Sequence, residues 1–206
     1  MDYIETEVKF LLLETETVKK MLTEIGAVGN EPVFETNYRY DDHHATLRKK
    51  HAILRLRKDE DILLTLKSRP ADQENHDFKV HHELEVTVSD FNTMDRIIEN
   101  LGYHRVQIYE KWRQTYKLDD TLFCIDTLPF GTFLEIEGSQ EAILKMTETL
   151  SLDWKNRILI SYLELFNIVK TKKNLTFNDI TFDNFRNLSL SVRELHSFFL
   201  PRPEIL

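Results

Sequence analysis

With 206 residues, 41% of them hydrophobic and 30% charged, the chain has the composition of a folded protein rather than a disordered one. Its formal net charge of −8 argues against general nucleic-acid binding, because a surface that binds a phosphate backbone needs clustered positive charge. The single cysteine excludes an intramolecular disulfide, and there is neither a signal peptide nor an apolar run of roughly 20 residues, so we expect a cytoplasmic protein without a membrane partner.

Alternation of apolar and polar residues predicts eight β-strands in the first two-thirds of the chain. In chain order they cover residues 2–12, 35–41, 51–58, 61–68, 79–88, 105–117, 121–127 and 132–138. Asp119-Asp120 and Pro129-Phe130-Gly131 predict tight turns between strands. Since eight antiparallel strands can close into a barrel just wide enough for one small ligand, we predict such a barrel.

Helical periodicity follows three of these strands, over residues 15–25, 90–101 and 140–150. The first two predicted helices end at Gly26 and Gly102, and glycine is the usual residue at a helix end. Further helices are predicted for Ile158 to Val169 and for Leu188 to Leu200, separated by a loop or short strand. The expected fold is therefore α+β, an eight-stranded antiparallel closed barrel over residues 1–170 with helices packed outside, and residues 171–206 form a helical extension.

The charged residues of the predicted strands fall on one face of each strand, because every second side chain points the same way. On the first strand Glu5, Glu7 and Lys9 lie opposite Ile4 and Val8. The same rule groups the other charged positions as Arg55 with Arg57, Lys67 alone, Glu83 with Glu85, Lys111 with Arg113, Asp126 alone, and Glu135 with Glu137. An exposed sheet face would explain the charged residues of any one strand. Such a face normally mixes positive and negative side chains. Here, however, acidic residues accompany acidic residues on three strands, and basic residues accompany basic residues on two.

Helices packed on the apolar faces would leave these charged faces lining the interior of the barrel. Burying a charge without compensation costs several kcal/mol per ion, so the interior has to be wet and loaded with ions. Clustered carboxylates predict a hard cation with oxygen ligands, Mg²⁺ or Mn²⁺. Clustered arginine and lysine side chains predict a polyphosphate. The strand pattern therefore predicts a site for a metal ion together with a triphosphate.

The charged strand motifs also occur in an order that resembles the CYTH superfamily, also called triphosphate tunnel metalloenzymes. The resemblance covers about residues 1–165 and runs from Glu5-x-Glu7-x-Lys9 to Glu135-x-Glu137. Between these ends lie Asn37 to Asp41, Leu54-Arg55-Leu56-Arg57, Leu64-Thr65-Leu66-Lys67, Glu83-x-Glu85, Glu110-Lys111-x-Arg113-x-x-Tyr116 and the segment Ile125 to Phe133. The chain departs from the family pattern over residues 38–40, and the role of Arg39 is left open.

The resemblance implies an eight-stranded tunnel barrel whose basic residues grip a triphosphate. Carried over to this sequence, those residues are Lys9, Arg55, Arg57, Lys67, Lys111 and Arg113. It also implies one or two divalent ions, Mg²⁺ or Mn²⁺, bound chiefly by Glu5, Glu7, Glu135 and Glu137, with Asp126, Glu83 and Glu85 as further candidates. Glu7, Lys67 and Lys111 are the candidate catalytic residues.

Three functions fit this site, and we expect a small-molecule triphosphate as the partner, with a homodimer as a possible assembly. The first is a metal-dependent triphosphatase acting on inorganic triphosphate or a small organic triphosphate such as thiamine triphosphate. The second is a class IV-type adenylyl cyclase, which forms cyclic AMP and pyrophosphate from ATP. The third is a polyphosphate-binding module without catalysis, which the full set of acidic positions argues against. Outside this set, His81 shares the interior register of Glu83 and is a candidate for the tunnel mouth.

Overall fold

The computed structural model describes residues 4–70, 77–188 and 190–199, with backbone alone for Val192. Its strands are β1 (Ile4–Leu11), β2 (Val28–Gly29), β3 (Val33–Asp41), β4 (Ala52–Lys58), β5 (Ile62–Ser68), β6 (Lys79–Thr87), β7 (His104–Leu118), β8 (Thr121–Leu128) and β9 (Gly131–Glu137). Its helices are α1 (Thr15–Glu24), α2 (Thr46–Lys49), α3 (Phe91–Asn100), α4 (Gln140–Thr149), α5 (Tyr162–Lys173) and α6 (Val192–Phe199). None of these helices combines the length and the apolar character needed to cross a bilayer.

Eight of the strands form a closed antiparallel barrel, as predicted. Around the barrel the order is β7-β3-β4-β5-β6-β1-β9-β8, and β8 pairs again with β7. The short strand β2 was not predicted; it pairs with Tyr116 and Lys117 at one end of β7, outside the ring of eight. A two-residue strand carries too little alternation to be detected in the sequence.

Helices cover part of the outer face of the barrel and hold its apolar side chains there out of water, whereas Leu66, Leu84 and Val86 on β5 and β6 are exposed. The largest core packs α1 and α4 against β1, β8 and β9, and Val8, Phe123, Leu134 and Ile136 are fully buried in it. A smaller core packs α3 against β3 and β4 around Leu56. Because successive strand residues alternate sides, burying the apolar faces under helices leaves the charged faces inside the barrel.

The first three predicted helices are confirmed to within about one residue at each end, and the left-handed backbone of Gly26 (φ +85°) and Gly102 (φ +94°) fits their role as helix stops. The prediction of a helix from Ile158 was wrong. Ile158 is extended and donates its backbone N–H to Lys9 O at 2.7 Å, and α5 begins only at Tyr162. Ser161 and Glu164 form the capping box that sets this start.

The segment from Ile158 to Ile180 covers one end of the barrel. Besides the bond to β1, Ile180 accepts the backbone N–H of Glu110 at 2.9 Å and donates its own to Ile108 at 2.8 Å. These bonds satisfy edges of β1 and β7 that extend past their barrel partners. The last helix is shorter than predicted, Val192–Phe199, and Leu200 lies outside the described residues, as do residues 2–3 of the first predicted strand. The predicted division at residue 170 stays a prediction.

Candidate functional site

The interior of the barrel holds a cavity of about 140 Å³, which we call the tunnel cavity. Its lining includes seven basic and five acidic side chains. These are Lys9, Arg39, Arg55, Lys67, Lys79, Lys111 and Arg113 on the basic side, and Glu5, Glu7, Glu83, Glu135 and Glu137 on the acidic side. Such a density of buried charge is stable only if each group finds an opposite charge or a bound ion.

The two signs lie on opposite walls of the barrel. The adjacent strands β7, β3, β4 and β5 carry Lys111, Arg113, Arg39, Arg55 and Lys67, whereas the adjacent strands β6, β1 and β9 carry all five acidic lining residues. Two lysines on the acidic wall, Lys9 and Lys79, interrupt the pattern. A wall of cations facing a wall of carboxylates can hold a polyanion and a metal cation side by side.

Three carboxylates on the acidic wall lie close enough to share one cation. Oxygen atoms of Glu5, Glu7 and Glu137 all lie within 4.8 Å of one another. Lys67 Nζ lies 2.5 Å from Glu5, and Lys79 Nζ lies 2.5 Å from Glu7. Such a cluster of hard oxygen donors fits Mg²⁺ or Mn²⁺.

The pKa values of these acids are shifted by their burial and by the neighbouring charges. Burial, together with the charges of Glu5 and Glu7, raises the pKa of the Glu137 carboxyl to about 7. Burial and the charge of Glu7 also raise the pKa of Glu5. Burial acts in the same direction on Glu7, but the charges of Lys79, Lys9 and Lys67 together outweigh it and lower the Glu7 pKa to about 2. The cluster therefore has negative charge that its own lysines do not balance, which favours a bound cation.

The basic wall is fixed by a network around a fully buried carboxylate. The Arg113 Nη2 atom lies 2.6 Å from Asp126 and 2.5 Å from Glu135. Lys111 Nζ donates to Asp126 at 2.9 Å and lies 3.4 Å from Glu35. Asp126 is 0% exposed, so these charge-assisted bonds are shielded from water. They hold the two cations in position at the cavity surface.

The start of α5 contributes an aromatic floor to the tunnel cavity. Tyr162 donates its hydroxyl to Asp126 at 2.9 Å, and Lys9 Nζ lies 4.2 Å from the centre of the Tyr162 ring. Lys9 also pairs with Glu135 at 2.7 Å and is 1% exposed. A cation that faces a ring and a carboxylate together has little freedom to move.

In the middle of the basic wall, Arg55 has a hydrogen-bond donor that is unsatisfied among the described residues. Arg55 lies 3.8 Å from Glu83 and 3.7 Å from Glu85, both longer than a direct hydrogen bond, and donates to the Tyr109 hydroxyl at 3.4 Å. Its Nε atom and Asn37 Oδ1 are buried without a hydrogen-bond partner among the described residues. An unpaired buried donor in a cavity marks a place where a ligand oxygen would be stabilised.

Most of the predicted site residues line the tunnel cavity, but three do not: Arg57, Glu85 and Asp126. Arg57 Nε lies 2.9 Å from Asp59 near the end of β4. Glu85 accepts from the Thr65 hydroxyl at 2.7 Å. The acidic pair of β9 is also divided, since Glu137 joins the acid cluster whereas Glu135 is paired with Lys9 and Arg113. The functional roles of all these residues stay predictions.

Sequence reasoning missed several residues of the site, notably Glu35, Lys79 and Tyr162. Glu35 is buried beside Lys111 and Arg113, which together outweigh burial and lower its pKa to about 2. Its alternation with Asn37 on β3 was a usable signal, as was that of Lys79 with His81 on β6. Tyr162 had no such signal, because its helix contacts the tunnel only at one end.

Cys124 and His81 are two further buried side chains of the barrel. Cys124 is buried, and burial raises the pKa of its thiol, which agrees with an inert cysteine. His81 is 7% exposed and lies beside Lys79 at one mouth of the tunnel. Burial and the charge of Lys79 lower its pKa to about 4, so the imidazole is neutral at neutral pH.

These features define a tunnel-barrel protein with one basic wall and one acidic wall. Comparison with known families agrees with this class. Residues 3–180 match the model of the CYTH domain, and the chain therefore belongs to the CYTH family.

Relatives of the chain show the same fold under several descriptions. A protein of Methanocaldococcus jannaschii named "Putative adenylate cyclase" is 28% identical over 174 residues, which cover 79% of this chain and 98% of the relative. A crystal structure from Vibrio parahaemolyticus, also described as a "putative adenylate cyclase", has a TM-score of 0.72 at 20% identity, covering 81% of this chain and 99% of the other. A Hippeastrum protein described as having "a dominant triphosphatase activity" has a TM-score of 0.54 at 16% identity, covering 79% and 95%. At these identities the structures show the fold alone.

Proposed function

We propose that this protein hydrolyses inorganic triphosphate or a small organic triphosphate in a reaction that depends on Mg²⁺ or Mn²⁺. The observation that carries this proposal is the facing of two walls, with Lys111, Arg113 and Arg55 opposite the carboxylates Glu5, Glu7 and Glu137. A triphosphate between these walls would meet cations along its length and the acid cluster on its other side. Such an arrangement provides positioning and charge stabilisation, which are the main demands of phosphoryl transfer.

Each group of side chains would have a separate task. Lys9, Lys111 and Arg113 would bind phosphoryl oxygens and hold them in one orientation, since buried ion pairs fix all three. Glu5, Glu7 and Glu137 would hold the divalent ion, which when bound neutralises phosphoryl charge as a Lewis acid. Tyr162 and the start of α5 would exclude bulk water from that end of the cavity.

A site that only binds polyphosphate would not require the acid cluster. Three carboxylates with two raised pKa values oppose the binding of an anion unless a cation intervenes. Placing three carboxylates together costs free energy through charge repulsion unless a cation binds them. The acid cluster therefore supports a metal-dependent reaction over binding alone. Adenylyl cyclase activity is the second candidate, because the similar Methanocaldococcus jannaschii protein carries that description along nearly its full length.

The products of turnover distinguish these candidates. The protein would be incubated with Mg²⁺ or Mn²⁺ and either inorganic triphosphate, thiamine triphosphate or ATP. Release of orthophosphate is the expected result. Cyclic AMP and pyrophosphate from ATP would instead establish the cyclase, and binding without turnover of any substrate would establish a binding module.

Two arginines of β4 should differ in their effect on substrate affinity. We expect Arg55→Ala to weaken triphosphate binding by about ten- to a hundredfold, because it removes charge-assisted hydrogen bonds inside the cavity. Arg57→Ala should weaken it by less than about threefold, because Arg57 is paired with Asp59 and does not line the cavity. Calorimetric titration of both variants with inorganic triphosphate measures the difference. Equal losses would contradict the proposed position of the substrate.

The affinity for the metal ion should depend on pH through Glu137. Carboxylates bind a cation in their ionised form, and the pKa of Glu137 is raised to about 7 without the metal. We expect the apparent Mg²⁺ affinity to fall by about tenfold per pH unit below that value and to level off above it. Mg²⁺ titrations at about pH 6 and about pH 8 measure this slope, and Glu137→Gln should remove it. An affinity that is constant across this range would exclude Glu137 as a ligand.

A further inference from the structure

A second cavity opens beside the tunnel and is larger than the tunnel cavity. It has a volume of about 600 Å³, and we call it the outer chamber. The two cavities adjoin, because five residues line both: Arg39, Ile53, Lys79, Ser161 and Leu163. A group attached to a triphosphate in the tunnel can therefore extend into the outer chamber.

Most of the charged residues that line the outer chamber are positive. Four cationic side chains contribute to it: Arg39, Arg48, Arg69 and Lys79. The acidic residue among its described lining is Glu164, whose carboxylate already accepts the N–H and the hydroxyl of Ser161 in the capping box of α5. Among the described residues of the lining, cations therefore outnumber carboxylates.

The arginines of the outer chamber have no carboxylate partner among the described residues. Within the described residues, Arg39, Arg48 and Arg69 form no ion pair with a carboxylate, whereas Lys79 is paired with Glu7 in the tunnel. Arg39 makes one long hydrogen bond, at 3.3 Å to Gln107. Guanidinium groups without a carboxylate bind phosphate oxygens strongly.

Arg39 lies at the junction of the two cavities, since it lines both of them. The pairing of β3 with β7 shifts register between Arg39 and Tyr40. The extra residue of this shift lies on β7, and Arg39 keeps the inward register of Glu35 and Asn37 on β3.

His81 adds a buried polar atom to the same chamber. It is 7% exposed, and its Nδ1 atom has no hydrogen-bond partner among the described residues. A buried imidazole nitrogen without a partner is costly unless a ligand or water satisfies it. The chamber thus combines unpaired arginines with an unsatisfied imidazole on one side of the tunnel mouth.

We propose that the outer chamber binds a second anionic group that is joined to the triphosphate outside the tunnel. This inference rests on the proposed function, because it assumes a triphosphate in the tunnel. The preferred ligand is then a triphosphate extended by further negative charge, either as additional phosphoryl groups or as a phosphate on its organic part. A cationic organic part, such as the thiazolium of thiamine triphosphate, is disfavoured by the same charges.

Binding measurements in the presence of Mg²⁺, completed before appreciable turnover, test this inference separately from catalysis. One pair of probes is inorganic triphosphate and inorganic tetraphosphate, and the other is ATP and ATP carrying a 3′-phosphate. We expect the extended member of at least one pair to bind the native protein about tenfold more tightly or better. The pair that shows the preference identifies whether the extra anion is a phosphoryl chain or a phosphate on the nucleoside.

Two double variants separate the chamber from overall charge. Arg48→Ala/Arg69→Ala should reduce the preference to within about threefold while leaving the affinity for inorganic triphosphate nearly unchanged. Lys49→Ala/Lys50→Ala removes the same charge from exposed residues that do not line the chamber, and it should keep the preference. A preference that survives loss of both arginines, or that is missing from the native protein, overturns the inference alone. Failure of inorganic triphosphate itself to bind overturns the proposed function as well.

Discussion

Replacing Glu7 with glutamine is expected to lower metal-dependent turnover by about a thousandfold or more, because the loss of one metal ligand removes several kcal/mol of charge stabilisation from the transition state. Glu7 is 3% exposed and belongs to the acid cluster with Glu5 and Glu137. Glutamine keeps the size of the side chain but lacks its negative charge. Steady-state release of orthophosphate from inorganic triphosphate, measured across a range of Mg²⁺ concentrations, gives the effect.

The control for this variant is Glu99→Gln on α3, an exposed carboxylate paired with Arg105 on the outside of the barrel. It should keep native turnover. Calorimetric titration with Mg²⁺ gives a second readout, in which Glu7→Gln should bind the ion at least about tenfold more weakly. A Glu7→Gln protein with native turnover and native Mg²⁺ affinity would show that the metal site has been placed wrongly.

Replacing Arg113 with methionine should destabilise the fold by about 3 kcal/mol, because it leaves two buried carboxylates short of a partner. Arg113 bridges Asp126 and Glu135, whose side chains are 0% and 7% exposed. Methionine fills similar space without charge. Urea unfolding of the native and variant proteins measures the difference in the free energy of unfolding.

Another arginine of β7 provides a matched control for the same substitution. Arg105 is 42% exposed and pairs with Asp95 and Glu99 at the surface. Arg105→Met should cost less than about 1 kcal/mol, since solvent screens such pairs. Adding Asp126→Asn to Arg113→Met should recover part of the lost stability, because it removes one of the uncompensated charges. Equal losses for the two single variants would show that the tunnel network does not stabilise the fold.

The strands and their inward faces could be predicted because the period of a strand is local. Glu5, Glu7 and Lys9 point into the barrel because Val8 and Phe10 have to pack under α1 and α4. The same alternation predicted ten of the residues that line the tunnel cavity. Helix boundaries followed wherever a glycine or a cap marked them. The predicted helix start at Ile158 was wrong, because Ile158 forms a hydrogen bond with a distant strand and not the first turn of the helix that the apolar pattern indicated.

The sorting of charges into partners could not be predicted, because it depends on which strands become neighbours. Glu135 and Glu137 have the same register on one strand, yet the first is neutralised by Lys9 and Arg113 and the second faces other carboxylates. Asp126 likewise belongs to the network of the basic wall rather than to the acid cluster. Whether a carboxylate is neutralised depends on the distance of a few ångströms to its nearest cation, and the closure of the barrel sets that distance.

The sequence by itself predicted that the barrel interior is charged, since the charged faces of several strands each carry one sign and lie opposite apolar faces. It also determined the types of ligand donors available there. Only the tertiary structure decided that the cations and carboxylates form opposite walls, that Tyr162 lines the tunnel cavity, and that the outer chamber adjoins this cavity at Arg39. These features arise where strands and helices distant in sequence meet, and no local pattern of residues encodes such a meeting.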